Sequence, residues 1–179
     1  MNGEPLLAND TLISSFLDEI MLCSRKLKRF TEGLSQEELE WTPPGINNSM
    51  SWILVHLATT LWVCHALATG TRTKHNPMAA GLAMAAVRGI DCGTDDHLPA
   101  PSTDDPTWYL DEAFKALRTA LEQDELDLDT RRVYADRKWR TAWWFLTHEL
   151  GDLAYHTGQA SYLRKLIATL RKRSPRQVI

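Results

Sequence analysis

The sequence has few cysteines and no long apolar run. Cys23, Cys64 and Cys92 are widely spaced and form no C-x-x-C pair, a pattern that argues against a disulfide framework and fits reduced thiols in a reducing compartment. No apolar segment approaches the roughly 20 residues that span a bilayer, and the amino-terminal segment MNGEPLLAND has no basic region followed by an apolar core. We therefore expect a cytoplasmic protein that does not insert into a membrane.

An excess of basic charge is also missing. The chain has 20 Lys and Arg residues against 23 Asp and Glu residues, which gives a formal net charge of −3. Binding to nucleic acid by neutralising its phosphates is therefore disfavoured.

The 179 residues suit one domain that can bury a core without disulfides or a structural metal. We expect a single domain over residues 1–179, with a variable crossover at residues 71–103 and a basic tail at residues 171–179.

Four segments have apolar residues at intervals of three and four, which predicts amphipathic helices. The first helix is expected from Asp10 to about Glu32, with Asn9 or Asp10 as its N-cap. Ser35 then opens a Ser-x-x-Glu capping box with Glu38, which predicts a short helical turn.

The later helices are bounded by similar signals. The second is expected over about residues 50–69 after its N-cap Ser49, the third over residues 106–123, and the fourth from near Thr141. Residues 131–139, RRVYADRKW, can be extended or irregular, and no series of strands is evident. The pattern predicts an all-α protein, a four-helix bundle whose long crossover joins the second and third helices.

The fourth helix carries His148, Asp152 and His156 along one side. At about 100° per residue, Asp152 and His156 lie one turn apart on the same face, so their side chains can meet at one point. An imidazole and a carboxylate in this arrangement are a common pair of ligands for a divalent ion, but two ligands hold an ion poorly. A third ligand must come from elsewhere in the chain.

Three motifs give the chain a family resemblance. They are GLSQEELEWTPPG at residues 33–45, SMSWILVHLA at residues 49–58 and THELGDLAYHTGQASYLR at residues 147–164. Their Trp-x-Pro-Pro, Ser-x-x-Trp-x-x-x-His and Asp-x-x-x-His-x-Gly-Gln patterns together resemble those of the DinB-like superfamily of four-helix metalloproteins. Within it, the chain is most similar to the branch related to actinobacterial mycothiol-dependent enzymes and bacillithiol S-transferases.

The resemblance implies a metal held by one histidine of the second helix and two ligands of the fourth. In this sequence those residues are His56, Asp152 and His156, and Asp152 stands where relatives have histidine or glutamate. Aspartate is a competent oxygen ligand for zinc, nickel or iron, although it is shorter than glutamate and harder than imidazole. Two other interpretations stay open: His56 as a hydrogen-bonded core histidine, and Asp152 as a carboxylate that only orients His156.

Further residues are candidates for the surroundings of the metal. His148 is a fourth ligand, a base near the metal or a bystander. The resemblance implies roles for Gln159 and Arg164; Gln159 can bond a metal-bound water or Ser49 on the facing helix, or it can fix helix packing. The small Gly158 and Ala160 predict a close helix crossing.

The resemblance implies an enzyme in which the metal activates a low-molecular-weight thiol. The leading hypothesis is a metal-dependent thiol S-transferase or thiol-dependent isomerase that acts on a small electrophile. A hydrolase with His148 or Glu149 as base, and a non-catalytic metal- or ligand-binding bundle, are the alternatives.

Relatives are often dimers, and the adjacent Trp143 and Trp144 cannot both point inward along one stripe. We therefore expect a homodimer, with one of these tryptophans facing the partner.

Overall fold

The structure of this chain, a computed structural model, describes residues 5–46, 48–69, 107–122, 128–133 and 137–173. Within these ranges the chain forms five helices and two short strands. The helices are α1 (Pro5–Thr31), α2 (Gln36–Glu40), α3 (Met50–Thr69), α4 (Trp108–Glu122) and α5 (Ala142–Arg173), and the strands are β1 (Arg131–Val133) and β2 (Trp139–Thr141). None of these helices combines the length and the apolar character needed to cross a membrane.

Helix α1 begins earlier than the sequence predicts. Among the described residues it extends back to Pro5, a residue that the first turn of a helix accepts because the N–H groups of that turn have no partner inside the helix. Asn9 and Asp10 lie inside the helix, so the prediction that one of them is the N-cap is wrong. At the other end, Gly33 has a φ of 67°, a left-handed conformation that glycine adopts without steric cost and that ends the helix.

The predicted caps of α2 and α3 are present. The Ser35 hydroxyl accepts a hydrogen bond from the backbone N–H of Glu38, and the Glu38 carboxylate accepts one from the Ser35 N–H at 2.8 Å, which completes the capping box. The Ser49 hydroxyl accepts from the backbone N–H of Trp52 at 3.1 Å and so caps α3. These caps fix where α3 begins, and with it the direction in which each of its side chains points.

Helix α3 lies at the centre of the packing. It packs against α4 and α5, and α1 packs against α4 and α5 in turn. The shared core contains leucines that are almost fully buried, among them Leu57, Leu61, Leu117, Leu146 and Leu153. The predicted helical class is confirmed. The predicted crossover at residues 71–103 lies outside the described residues, so the complete bundle arrangement stays a prediction.

Trp143 and Trp144 are both half-buried, and both pack against the core. Trp144 also stacks on His148, with ring centroids 4.8 Å apart. Both indoles therefore have contacts within the chain, and the pair gives no particular support to a partner interface. The homodimer itself stays a prediction.

A short hairpin precedes α5. Strand β1 pairs antiparallel with β2, so that Arg131 lies opposite Thr141 and Val133 lies opposite Trp139. The Thr141 hydroxyl accepts a hydrogen bond from the backbone N–H of Trp144 at 3.1 Å, which makes the last residue of β2 the cap of α5. The hairpin thereby fixes the start of the helix that carries two of the candidate metal ligands.

The far end of α5 is held by Arg171. Its guanidinium donates to both carboxylate oxygens of Glu38 and, at 2.8 Å, to the backbone carbonyl of Gly33. The hydrogen bonds from Arg171 lower the pKa of the Glu38 carboxyl, because they stabilise its ionised form. Residues 171–173 belong to α5, so the predicted basic tail begins as an anchored part of the helix.

Replacing Arg171 with alanine is expected to lower the free energy of unfolding by about 0.5–1 kcal/mol at neutral pH, a modest effect because the pair is partly exposed. The pKa of Glu38 is lowered from its ordinary 4.5 in the folded protein. The stabilisation is therefore complete above the unfolded-state pKa and is lost as the pH falls through the folded-state pKa.

Urea unfolding of both proteins at neutral pH and at about pH 3.5 measures this difference. Arg118→Ala, which breaks an exposed pair with Glu122 inside α4, is the control and should cost less than Arg171→Ala at neutral pH. An equal cost of Arg171→Ala at both pH values would show that the charge of Glu38 contributes nothing.

Candidate metal centre

Three side chains that can ligate a metal meet between α3 and α5. His56 comes from α3, and Asp152 and His156 come from consecutive turns of α5. His56 Nε2 lies 3.1 Å from Asp152 Oδ2, and His156 Nε2 lies 3.7 Å from Asp152 Oδ1. The ligand atoms of the three residues all lie within 4.8 Å of one another. The structure thus brings together the residues that the sequence selects, and their coordination of an ion stays a prediction.

The spacing of these donor atoms suits a metal ion. Ligand atoms bound to one tetrahedral ion at about 2.1 Å lie about 3.4 Å from one another. The 3.1 Å from His56 Nε2 to Asp152 Oδ2 and the 3.7 Å from His156 Nε2 to Asp152 Oδ1 lie on either side of this value. With one ligand atom from each residue, the three atoms lie within 4.8 Å of one another, which is wider than the ideal but small enough for one ion to draw them together. Two imidazoles and one carboxylate form a donor set for zinc, nickel or iron, with positions left for water or substrate. The residues present therefore fit a divalent ion.

The three residues differ in exposure and in the charge that their surroundings favour. His56 and His156 are each 5% exposed, whereas the Asp152 side chain is 29% exposed. Burial lowers the pKa of His156, because the imidazolium would lose its hydration. Burial opposes ionisation of Asp152, but its hydrogen bond with His56 and the nearby imidazoles hold the pKa of its carboxyl below the ordinary value. The site favours a neutral His156 and an ionised Asp152, the forms that bind metal.

Gln159 fixes the tautomer of His156. Its Oε1 lies 2.7 Å from His156 Nδ1 and also accepts a hydrogen bond from the Asn48 amide at 3.4 Å. Because an amide oxygen only accepts, Nδ1 of His156 carries the proton, and the lone pair of the neutral ring lies on Nε2, which faces Asp152. Of the alternatives that the sequence leaves open for Gln159, the bond to Ser49 is not formed: Gln159 bonds the neighbouring Asn48, and the Ser49 hydroxyl accepts from the backbone at the start of α3. A bond from Gln159 to a metal-bound water stays a prediction.

Trp52 packs on both candidate histidine ligands. Its ring stacks on that of His56, with centroids 4.7 Å apart and planes 12° from parallel, and its centroid lies 5.7 Å from that of His156. These contacts restrict rotation of the imidazoles, which matters for His56 because its buried Nδ1 has no hydrogen-bond partner among the described residues. Sequence reasoning missed this role of Trp52, although a spacing of four residues from His56 places the two on one helix face.

The family of the chain follows from a match over most of its length. The profile of the DinB superfamily matches residues 22–160, a range that includes all three candidate ligands. The chain belongs to the DinB superfamily. This superfamily is helical and metal-binding, in agreement with the donor set between α3 and α5. The comparison with curated proteins found no match.

His148 and Arg164 lie outside the group of donor atoms in this DinB superfamily protein. His148 is exposed, and its ring stacks on Trp144. Arg164 is half-buried two turns beyond His156, and its Nη1 atom bonds none of the described residues. The roles predicted for them, a base for His148 and contact with substrate or ligands for Arg164, stay predictions.

A buried carboxylate lies one turn from the candidate ligands. Glu149 is 3% exposed and accepts a hydrogen bond from the Thr60 hydroxyl at 2.8 Å. Thr60 follows His56 by one turn on α3, and Glu149 precedes Asp152 by one turn on α5, so this bond continues the row of polar contacts between the two helices. The sequence indicated Glu149 only as a base for the hydrolase alternative, and no local signal pairs it with Thr60.

The two cysteines of the described residues supply no nucleophile at this position. Cys23 and Cys64 are buried free thiols, and Cys92 lies outside the described residues. Burial, with a contribution from the charge of Glu149, raises the pKa of the Cys64 thiol well above its usual range. Cys64 is therefore protonated and unreactive at neutral pH.

Proposed function

We propose that the protein is a metal-dependent thiol S-transferase or thiol-dependent isomerase that acts on a small electrophile. The observation that carries the proposal is the meeting of His56, Asp152 and His156 at separations suited to an ion, in a member of a metal-binding superfamily. The resemblance of the motifs to those of mycothiol-dependent enzymes and bacillithiol S-transferases supports a low-molecular-weight thiol as cosubstrate. A divalent ion in this site, zinc, nickel or iron, would lower the pKa of a thiol that enters an open position.

The residues of the chain would orient the metal ligands and set the charge of the site for this chemistry. Asp152 is the one charged member of the donor group, so the site would keep a net positive charge with a divalent ion and would favour an anionic sulfur. Gln159 holds the proton of His156 on Nδ1, and Trp52 covers the two imidazole rings. Neither Cys23 nor Cys64, the cysteines in the described part of the chain, belongs to the donor group, which is compatible with a nucleophilic sulfur that comes from a diffusible thiol.

The proposed assembly is a cytoplasmic homodimer of single-domain bundles. The packing of α1, α3, α4 and α5 around one core supports a four-helix bundle, in which residues 71–103 would form the crossover from α3 to α4. The dimer rests on the family resemblance. Light scattering coupled to gel filtration measures the molar mass in solution and decides between a monomer and a dimer.

The reaction can be tested with monochlorobimane and the thiols mycothiol and bacillithiol. Metal-supplemented protein is expected to accelerate displacement of chloride by the thiol sulfur, which forms a C–S bond and releases a chloride ion and a proton. Bimane fluorescence measures the rate, and His156→Ala protein is the control that should show only the uncatalysed rate. No metal-dependent acceleration with either thiol would argue against thiol transfer to this electrophile. Metal-dependent ester hydrolysis without a thiol would instead support the hydrolase.

A further inference from the structure

A cavity of about 450 Å³ lies beside the metal centre, on the side of His156 that carries Nδ1. Its wall includes Gln159, the residue whose amide oxygen bonds that nitrogen. We propose that this cavity binds an uncharged aromatic molecule that carries a carbonyl oxygen. The proposal goes beyond the thiol chemistry above, and it requires no bound metal.

The walls of the cavity define the body of the ligand. Ile46, Ile53 and Leu163 contribute aliphatic surface, and Tyr155 and Tyr162 contribute aromatic rings. The two tyrosines are 63% and 54% exposed, so their rings are accessible to a molecule that enters from solvent. A cavity of this size lies within the range of small-molecule sites. Aromatic side chains at its edge favour a flat ring, which can stack on them or meet them edge to face.

The amide of Gln159 defines the polar end of the ligand. Its oxygen accepts from both His156 and Asn48, which leaves the Nε2 amino group as the part that can bond a ligand. An amino group of this kind donates hydrogen bonds and does not accept them, so the part of the ligand that meets it must present an acceptor. Asn48 also lines the cavity, with its amide nitrogen bonded to Gln159. No Lys, Arg, Asp or Glu is among the described residues that line the cavity, and a charged ligand group would enter without a counter-ion. A neutral carbonyl oxygen meets both conditions.

Gly158 leaves room for the ligand. It lines the cavity in the interior of α5, a position at which glycine is less favourable for the helix than alanine. A Cβ atom built on Gly158 would meet no heavy atom within 4 Å. Of the two small residues at which the sequence predicts a close helix crossing, Ala160 is buried in the core but Gly158 faces open space. A large side chain placed at Gly158 would occupy space that a ligand needs.

The proposal is tested by titration with prodan, an uncharged naphthyl ketone whose emission moves to shorter wavelength in an apolar site. The wild-type protein is expected to bind it saturably, and Gly158→Ala should retain binding because one methyl group meets nothing. Gly158→Leu is expected to weaken binding at least about tenfold, since the added side chain fills the cavity. Gly151→Leu is the matched control, because a Cβ there also meets nothing and Gly151 is outside the cavity lining. Circular dichroism verifies that each variant is folded.

A competition experiment tests the role of Gln159. The ketone 2-acetylnaphthalene is expected to displace prodan at a lower concentration than 2-ethylnaphthalene, because only the ketone can accept from the amide. Absence of saturable prodan binding, undiminished binding in Gly158→Leu, or an equal loss in Gly151→Leu would overturn the proposed site. Equal displacement by the two naphthalenes would overturn the assignment of the carbonyl to Gln159. The titrations use protein with and without added metal, so failure of the metal site would leave them interpretable.

Discussion

Alanine in place of His156 is expected to abolish stoichiometric metal binding while the helices stay folded. The substitution removes one of three donors, and the remaining His56 and Asp152 would hold an ion poorly. After metal supplementation and desalting, the metal content should fall from about one equivalent per chain to below about 0.1. Mass spectrometry of the elements measures this content. The fold should persist because the substitution removes none of the apolar side chains that form the core, and circular dichroism verifies it.

Two further variants decide whether the three-residue group is the site. His56→Ala is expected to lose the metal in the same way, although it lies on a different helix. His148→Ala is the matched control, because His148 lies on the same helix as His156 and outside the donor group, and it should keep the metal. Unchanged metal in His156→Ala, or equal loss in His148→Ala, would show that the ion binds elsewhere. No retained metal in the wild-type protein would favour the non-catalytic bundle.

The second large effect is expected from Asp152→Asn, which keeps the shape of the side chain and removes its charge. The carboxylate faces an imidazole with each oxygen, His56 at 3.1 Å and His156 at 3.7 Å. If Asp152 ligates the ion, its loss should weaken metal binding by at least about 100-fold, comparably to the loss of a histidine. A carboxylate that only orients a ligand typically contributes about 10–100-fold.

Competition titrations against a chelator of known affinity measure the effect of Asp152→Asn. His156→Ala and His148→Ala are titrated in parallel. They give the metal affinity after loss of a ligand and the affinity of an intact site. A loss in Asp152→Asn far smaller than that in His156→Ala would assign Asp152 to the orientation of His156, which is the alternative left open by the sequence.

The caps of α2 and α3 could be predicted because their chemistry is local. The hydroxyls of Ser35 and Ser49 bond backbone N–H groups three residues ahead, so a short stretch of sequence contains the whole interaction. The start of α1 could not be found in this way. Asn9 and Asp10 are good caps but also acceptable inside a helix, and Pro5 is a favourable first-turn residue, so local sequence does not decide between the two starts.

The three candidate ligands could be selected because two share one helical face and a family motif supplies the third. The contacts of the residues beside them could not be predicted, because these contacts join distant parts of the chain. Asn48 and Gln159 are 111 positions apart, and Thr60 and Glu149 are 89 positions apart. Those contacts depend on how far α3 is shifted along α5, which apolar periodicity does not specify. The hairpin could not be predicted either, because strands of three residues are too short to show the alternation of apolar and polar residues that identifies a strand.

The continuity of α5 limits how its length can change. This helix of 32 residues is fixed at its start by the Thr141 cap and near its end by the bonds from Arg171 to Glu38. Removal of one residue rotates everything beyond it by about 100° and shifts it by about 1.5 Å. Deleting the exposed Ala168 would keep the donor atoms in place but turn Arg171 away from Glu38, whereas substituting Ala168 would not. Exposed positions of α5 between His156 and Arg171 therefore accept a change of side chain but not an insertion or a deletion.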